Sequence, residues 1–169
     1  PWSAIACDGD RVVVVGRRGG VLLVAGDEGV GLDGGSDRAL HAASGLRDAR
    51  TWIVGDLGRM ALVDGGRVVN LDVGPRASLH DAVETEDGQL VAVGEWGAIL
   101  RTSSEGLREQ ESPTEAALGG VARLEPGRLI AVGDYGTVVL LDEQGVREVE
   151  APSDRSWRDV VAADGWVLA

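Results

Sequence analysis

Two histidines, His41 and His80, are the residues of this chain best suited to metal binding, and they lie 39 residues apart (80 − 41). Imidazole nitrogens bind zinc, but a zinc site needs three or four ligands. The corresponding places elsewhere in the chain hold Trp2, Gly119 and Trp157 or Arg158, none of which is a zinc ligand. We therefore predict no metal site, interpret both histidines as a solvated or hydrogen-bonded pair, and keep them as candidate binding residues.

The same 39-residue interval separates Gly16, Gly55, Gly94 and Gly133 (55 − 16, 94 − 55 and 133 − 94). Each of them ends an apolar run, and a second glycine follows three residues later. A constant period of this kind indicates one structural unit copied along the chain. We expect each first glycine to allow a positive φ or a close backbone approach. The residues between the two glycines are Arg17-Arg18, Asp56-Leu57, Glu95-Trp96 and Asp134-Tyr135.

The first member of this pair is acidic in three repeats, as Asp56, Glu95 and Asp134. Acidic residues beside glycine favour a tight, solvated turn. The alternative is a cation-binding ring. Elsewhere, Asp33, Asp37, Asp48 and Asp64 follow no ligand spacing such as that of a calcium-binding loop. We therefore predict that these three residues form turns, and that the protein needs neither a metal nor a cofactor.

The second member of the pair is Arg18, Leu57, Trp96 or Tyr135. A hairpin by itself would favour Asn or Gly at such a place. Trp and Tyr supply large, rigid contact area and are enriched at binding hot spots. These four residues, together with the two histidines, are our candidate binding residues. The alternative, left open here, is that each tip folds back over its neighbouring unit and seals the core.

Short strands separated by turns must position these residues. In the third repeat, the segments 79–86, 89–94, 98–103 and 107–112 are divided by the turn signals EDG, EWG and SEG. The second segment of every repeat is an almost unbroken aliphatic run, which suits a strand buried on both faces. A four-stranded unit of about forty residues is typical of a β-propeller blade. The alternative is an open β-solenoid.

We therefore predict an all-β fold in one region: a β-propeller of four-stranded antiparallel blades with half a fifth blade. The predicted blades are about 2–40, 41–79, 80–118 and 119–156, and the half-blade is 157–169. The two strands of this half-blade would leave an unpaired strand edge. We expect the missing strands to come from further sequence, from a second copy of the chain or from a protein partner.

The chain carries a net charge of −12. An acidic surface disfavours nucleic acid and anionic membranes, because both attract basic residues. No apolar run reaches the length of a membrane span, so we predict no membrane insertion. The single cysteine, Cys7, is predicted to be a small buried thiol. None of these features assigns a cellular compartment.

The segments VGEWGAILRTSSEG and VGDYGTVVLLDEQG resemble the repeat of propellers related to the photosystem II assembly and stability factor, and more broadly BNR (Asp-box) repeats. The Asp-box reads Ser-x-Asp-x-Gly-x-Thr-Trp. Here it is degenerate, since SSEGLRE and DEQGVRE lack the closing Thr-Trp. The resemblance implies a propeller that serves as an assembly or binding platform. The glycosidases of the wider group need catalytic residues that we cannot place in this sequence.

Catalytic motifs are missing from the sequence, which has no nucleophile elbow, no phosphate-binding loop and no zinc-protease motif. We therefore predict a non-catalytic interaction or scaffold module that presents one loop face to a protein partner. The alternative is a carbohydrate-binding propeller in which Trp96, Tyr135 and Trp2 or Trp157 stack on a glycan. A glycoside hydrolase is a third alternative, and it would require converging carboxylates.

Overall fold

The computed structural model describes residues 1–8, 11–45, 50–71, 77–151, 153–163 and 166–169. Within these ranges the chain is built from eighteen β-strands and four short 3-10 turns. The strands belong to two compact units, Pro1–Leu79 and His80–Ala169. None of the described helical segments has the length and apolar character needed to cross a membrane.

The first unit contains two four-stranded sheets, here called blades 1 and 2. Strands that follow each other in sequence pair antiparallel, so each sheet is a simple meander. The strands of blade 1 are β1 (Trp2–Asp8), β2 (Arg11–Gly16), β3 (Val21–Ala25) and β4 (Glu28–Leu32). Those of blade 2 are β5 (Leu40–Ser44), β6 (Arg50–Gly55), β7 (Arg59–Asp64) and β8 (Arg67–Leu71).

The second unit contains blades 3 and 4 and one further hairpin, and its sheets have the same order. Blade 3 has β9 (Leu79–Glu84), β10 (Leu90–Gly94), β11 (Ile99–Ser103) and β12 (Gly106–Glu109). Blade 4 has β13 (Leu118–Glu125), β14 (Arg128–Gly133), β15 (Val138–Asp142) and β16 (Gly145–Val149). The hairpin has β17 (Val161–Ala163) and β18 (Trp166–Leu168). The predicted strands are thus confirmed, although β17 begins four residues later than the repeat suggested.

The second strand of each blade supplies much of the core, because its aliphatic run is covered on both faces. All five residues of β10 are buried. Burial of each leucine or valine side chain among them stabilises the fold by about 1.5–3 kcal/mol. In the second unit the main core cluster is Val91, Val93, Ile99, Leu118, Val121, Leu129, Ala131, Val139 and Leu141. In the first unit the cluster is Val13, Val15, Val21, Leu40, Ile53, Ala61 and Val63.

A β-bulge interrupts the first strand of blades 1, 2 and 4 near its start. In blade 2 the pairing register shifts between Leu40 and Ala42, so that His41 is the extra residue. Ser3 and Gly119 are the extra residues in blades 1 and 4. A bulge bends the strand and changes the direction of a side chain. It therefore decides where the His41 imidazole lies.

The prediction that Cys7 is buried is wrong, because its side chain is exposed. Ala4 on the same strand packs against the core cluster of the first unit. Since successive strand residues point to opposite faces, Cys7 belongs to the other face. Ile5, which shares that face, is 63% exposed.

Candidate functional site

The turn between the second and third strands of each blade, here called the tip, begins at the first glycine of the repeated motif. The φ angles of these glycines lie between −161° and −176°, so the expected positive φ is wrong. The other alternative, a close backbone approach, is confirmed at Gly16, Gly55 and Gly133. A Cβ on Gly55 would lie 2.1 Å from the Ala39 carbonyl oxygen, and one on Gly133 would lie 2.2 Å from that of Ala117.

The same carbonyl group also accepts a hydrogen bond from the tip. The Asp56 N–H donates to the Ala39 oxygen at 3.0 Å, and the Asp134 N–H donates to the Ala117 oxygen at 2.9 Å. Each of these carbonyl groups immediately precedes the first strand of its own blade. The start of that strand therefore fixes the position of the tip.

The second glycine of the motif holds the tip against the linker to the following blade. These glycines have φ between +63° and +74°, a region that favours glycine. A Cβ on Gly136 would lie 2.0 Å from the Ser153 carbonyl oxygen, and one on Gly97 would lie 2.0 Å from that of Thr114. In blades 3 and 4 the tip therefore lies at the same end of its blade as the outgoing linker.

The candidate binding residues between the two glycines adopt the left-handed conformation. The φ angle is 57° at Arg18, 53° at Leu57, 60° at Trp96 and 58° at Tyr135. The Arg18 side chain is exposed, and those of Leu57, Trp96 and Tyr135 are 49%, 77% and 81% exposed. The alternative in which the aromatic tips fold back to seal the core is therefore wrong.

This conformation is costly for the residues that adopt it. In the left-handed region the Cβ lies too close to the following carbonyl oxygen, which costs about 1–2 kcal/mol per residue. Glycine and asparagine adopt this region most readily, yet no tip has either at this place. Strained backbone that carries a large side chain is a recurrent property of functional sites.

His41 is bound to the acidic residue of its own tip. Its Nε2 lies 2.7 Å from Asp56 Oδ1, and Asp56 Oδ2 accepts the Ala39 N–H at 3.3 Å. Asp56 thus holds the tip of blade 2 to the bulged first strand. This arrangement agrees with the prediction that Asp56 is a turn-forming residue.

His80 occupies the equivalent place in the second unit, and its side chain forms a hydrogen bond between blades 3 and 4. Its Nδ1 lies 3.1 Å from the Leu118 carbonyl oxygen. A carbonyl oxygen only accepts hydrogen bonds, so Nδ1 carries the proton. In the described ranges, no three His, Cys, Asp or Glu side chains are grouped so that they could hold a metal ion.

An acidic residue that the sequence analysis did not single out also links blades 3 and 4. Asp81 Oδ2 accepts the Val121 N–H at 2.8 Å, and its Oδ1 accepts the Ala82 N–H at 2.8 Å. Burial raises the pKa of Asp81 to about 6, with a smaller contribution from the charge of Asp159. Raised pKa values mark many catalytic acids. In the structure both Asp81 oxygens accept backbone hydrogen bonds, one of which joins blades 3 and 4.

A cavity of about 240 Å³ lies at the opposite end of blades 3 and 4 from the tips. Gln110 Oε1 is buried there and accepts no hydrogen bond from the described residues. The described lining includes no aromatic side chain and none of the candidate binding residues, so it offers no stacking surface for a sugar. It consists of Thr85, Glu86, Asp87, Arg101, Gln110, Arg123, Gly127, Leu129, Leu141, Asp142, Gly145 and Val146.

Solved structures to which this chain is similar include a streptogramin B lyase, with a TM-score of 0.83 and 15% identity over 95% of this chain and 58% of that one. The WD40 β-propeller domain of Doa1 gives a TM-score of 0.75, with 14% identity over 97% of this chain and 59% of that one. The fold is a β-propeller fold. YCF48 bound to D1 peptide gives a TM-score of 0.68, with 13% identity over 95% of this chain and 57% of that one.

These similarities establish the fold alone and assign no function. The chain spans less than three fifths of the length of each of these proteins. No family model matches the propeller sequence, and neither does any curated protein. The relatives include a lyase as well as propellers without enzymatic activity in their names, so the shared fold is compatible with several functions.

Proposed function

We propose that this propeller is a non-catalytic platform that binds a partner protein through the tips of its blades. The observation that carries the proposal is the 77% exposure of Trp96 and the 81% exposure of Tyr135 on left-handed backbone. Large, rigid aromatic side chains are the usual anchors of protein interfaces. Arg18 and Leu57 hold the same place in the first unit and are further contact residues.

Two structural relatives support a binding role. YCF48 binds a D1 peptide, and the Doa1 domain is a WD40 propeller. The resemblance of the repeat to those of photosystem II assembly factors agrees with this. We therefore interpret the chain as a divergent propeller of that kind in which the Asp-box turns have degenerated.

The likeness to a lyase does not favour an enzymatic function, because 15% identity reflects the shared fold alone. Catalysis by Asp81, whose pKa is raised by burial, is also disfavoured. Both carboxyl oxygens of Asp81 accept backbone N–H groups, which favours a structural role for this residue over a catalytic one.

A comparison of captured proteins tests the proposal. The immobilised wild-type chain and the double variant Trp96→Asn/Tyr135→Asn are incubated with a lysate of the source organism, and bound proteins are identified by mass spectrometry. Asparagine tolerates the left-handed backbone, so the fold of the variant is retained. We expect a partner that the wild type binds and the variant does not.

The matched control is the double variant Val30→Thr/Val69→Thr. It removes apolar side chains that are 54% and 53% exposed on the outer strands β4 and β8, away from the tips. We expect this variant to retain the partner. Equal binding of every captured protein to the wild type and to the tip variant would overturn the proposal.

The carbohydrate alternative differs in its expected ligand. Glycan-binding propellers would be expected to present an aromatic residue in each blade, and only Trp96 and Tyr135 are aromatic among the four tips. A glycan array discriminates between the two functions. Binding of one glycan class to the wild type, with loss in the tip variant, would favour the carbohydrate alternative.

We further propose that other strands cover the β17–β18 hairpin. Its Trp166 and Leu168 side chains are 81% and 77% exposed. An isolated two-stranded sheet has marginal stability, and its edges are open to pairing. Sedimentation of the 169-residue chain distinguishes the sources. A dimer that the variant Trp166→Ser/Leu168→Ser dissociates supports a second copy, and a monomer counts against one.

A further inference from the structure

Two segments that meet at the tip of blade 3, beside Trp96 in sequence or through Gly97, carry acidic residues. Glu95 precedes it in the tip. The linker contributes Glu115, which follows the Thr114 carbonyl group that packs against Gly97. Glu115 is exposed, and residues 112–117 of this linker include no basic residue. The tip of blade 3 therefore combines an exposed aromatic ring with negative charge.

Tyr135 in blade 4 has similar surroundings one repeat later. Asp134 precedes it, and a Cβ on Gly136 would lie 2.9 Å from the Cα of Asp154. Asp134 and Asp154 make no ion pair with the described part of the chain. Arg155 follows Asp154, whereas blade 3 has alanine at that place. The surroundings of Tyr135 are therefore less acidic than those of Trp96.

We propose that the tips of blades 3 and 4 recognise arginine or lysine side chains of a partner protein, with the cation against Trp96 or Tyr135 and beside the neighbouring carboxylates. This inference rests on the proposed function, since it names the chemistry of the partner at the same site. A cation over an aromatic face is attracted by the ring quadrupole, most strongly at Trp. Carboxylates add charge-assisted hydrogen bonds.

The charge of the whole chain agrees with such a partner. A net charge of −12 attracts a basic segment over long range and increases its association rate. This general attraction does not depend on Trp96 or Tyr135, whereas recognition at the tips does. An experiment can therefore separate the two by changing the aromatic residues without changing the charge.

Fluorescence anisotropy with a labelled Gly-Ser peptide that carries several arginines measures this recognition at physiological salt. The same peptide with glutamine in place of arginine is the comparison. We expect the wild type to bind the arginine peptide about tenfold more tightly. Trp96→Asn should weaken that binding by about fivefold, with a smaller effect of Tyr135→Asn, because Trp is the better cation–π partner.

Two charge variants complete the design. The variant Glu115→Gln/Asp154→Asn removes the linker carboxylates at the two aromatic tips. It should weaken binding of the arginine peptide several-fold. Glu143→Gln/Glu148→Gln removes two exposed carboxylates from the outer hairpin of blade 4 and should have little effect. Equal weakening by both charge variants, with no effect of Trp96→Asn, would show only general attraction and overturn the inference.

The remaining outcomes separate this inference from the proposed function. If the glutamine peptide binds as well as the arginine peptide and Trp96→Asn still weakens both, cation recognition is wrong and the interaction platform stands. If the wild type does not bind the arginine peptide, the inference is also wrong. The lysate comparison then decides the proposed function by itself.

Discussion

Asp81 on the first strand of blade 3 accepts the backbone N–H of Val121 on the first strand of blade 4, with 2.8 Å between Oδ2 and N. The bond joins two neighbouring sheets of the second unit at their first strands. Burial and the charge of Asp159 raise the pKa of Asp81 to about 6 from an ordinary value of 3.8. The connection between these blades therefore contains a titratable group.

The stability of the protein is expected to fall as pH rises from about 4 to about 6. The folded chain holds the Asp81 proton in this window while the unfolded chain has released it, so folding becomes less favourable as the pH rises. The expected loss is about 2 kcal/mol, reduced from the full shift because Asp81 is only partly shielded from water. Urea unfolding at several pH values measures it.

Two variants assign this effect to Asp81. Asp81→Asn should remove the additional slope between about pH 4 and 6, because asparagine does not titrate. Asp159→Asn should move the loss to lower pH, since it removes the neighbouring negative charge. Stability curves of wild type and Asp81→Asn that run parallel across this window would contradict the assignment.

Gly133→Ala should destabilise the chain by about 3 kcal/mol, because the new Cβ would lie 2.2 Å from the Ala117 carbonyl oxygen. Gly127→Ala in the same blade is the control. Gly127 has φ +72° but no atom within 4 Å of its Cβ position, so only backbone strain of about 1 kcal/mol is expected. Chemical denaturation compares the two, and equal losses would argue against the close approach.

Trp96→Asn should leave the free energy of unfolding unchanged or raise it by about 1 kcal/mol. Asparagine accepts the 60° φ angle with less strain, and the 77% exposed indole contributes little to the core. Denaturant titration gives the stability, and the binding experiments above give the function. A large loss of stability would instead indicate that Trp96 belongs to the core.

The pair His41 and Asp56 should contribute a coupling energy below about 1 kcal/mol, because the two side chains are 34% and 40% exposed. A double-mutant cycle with His41→Ala and Asp56→Ala measures this coupling. The more exposed pair Arg50 and Asp64 serves as a comparison and should show a smaller coupling. A coupling of several kcal/mol would mean that the imidazole does more than hold its own tip.

The position of each tip could be predicted from the sequence, but its backbone conformation could not. The interval between Gly94 and Gly133 predicted equivalent turns, because a motif repeated in phase imposes the same local geometry. It did not predict that Trp96 and Tyr135 take the left-handed conformation themselves. Their types argued against it, since large side chains are strained there. Contacts of the flanking glycines with other segments impose that conformation.

The sequence by itself determined the repeat length, the strands of each blade and the identity of the tip residues, because periodicity and turn chemistry act within a few residues of the chain. Only the tertiary structure decided which atoms of different strands meet. The bulge at His41 brings the imidazole to Asp56, and the approach of two first strands places Asp81 on Val121. Such contacts depend on register and sheet packing, which residues distant in sequence settle together.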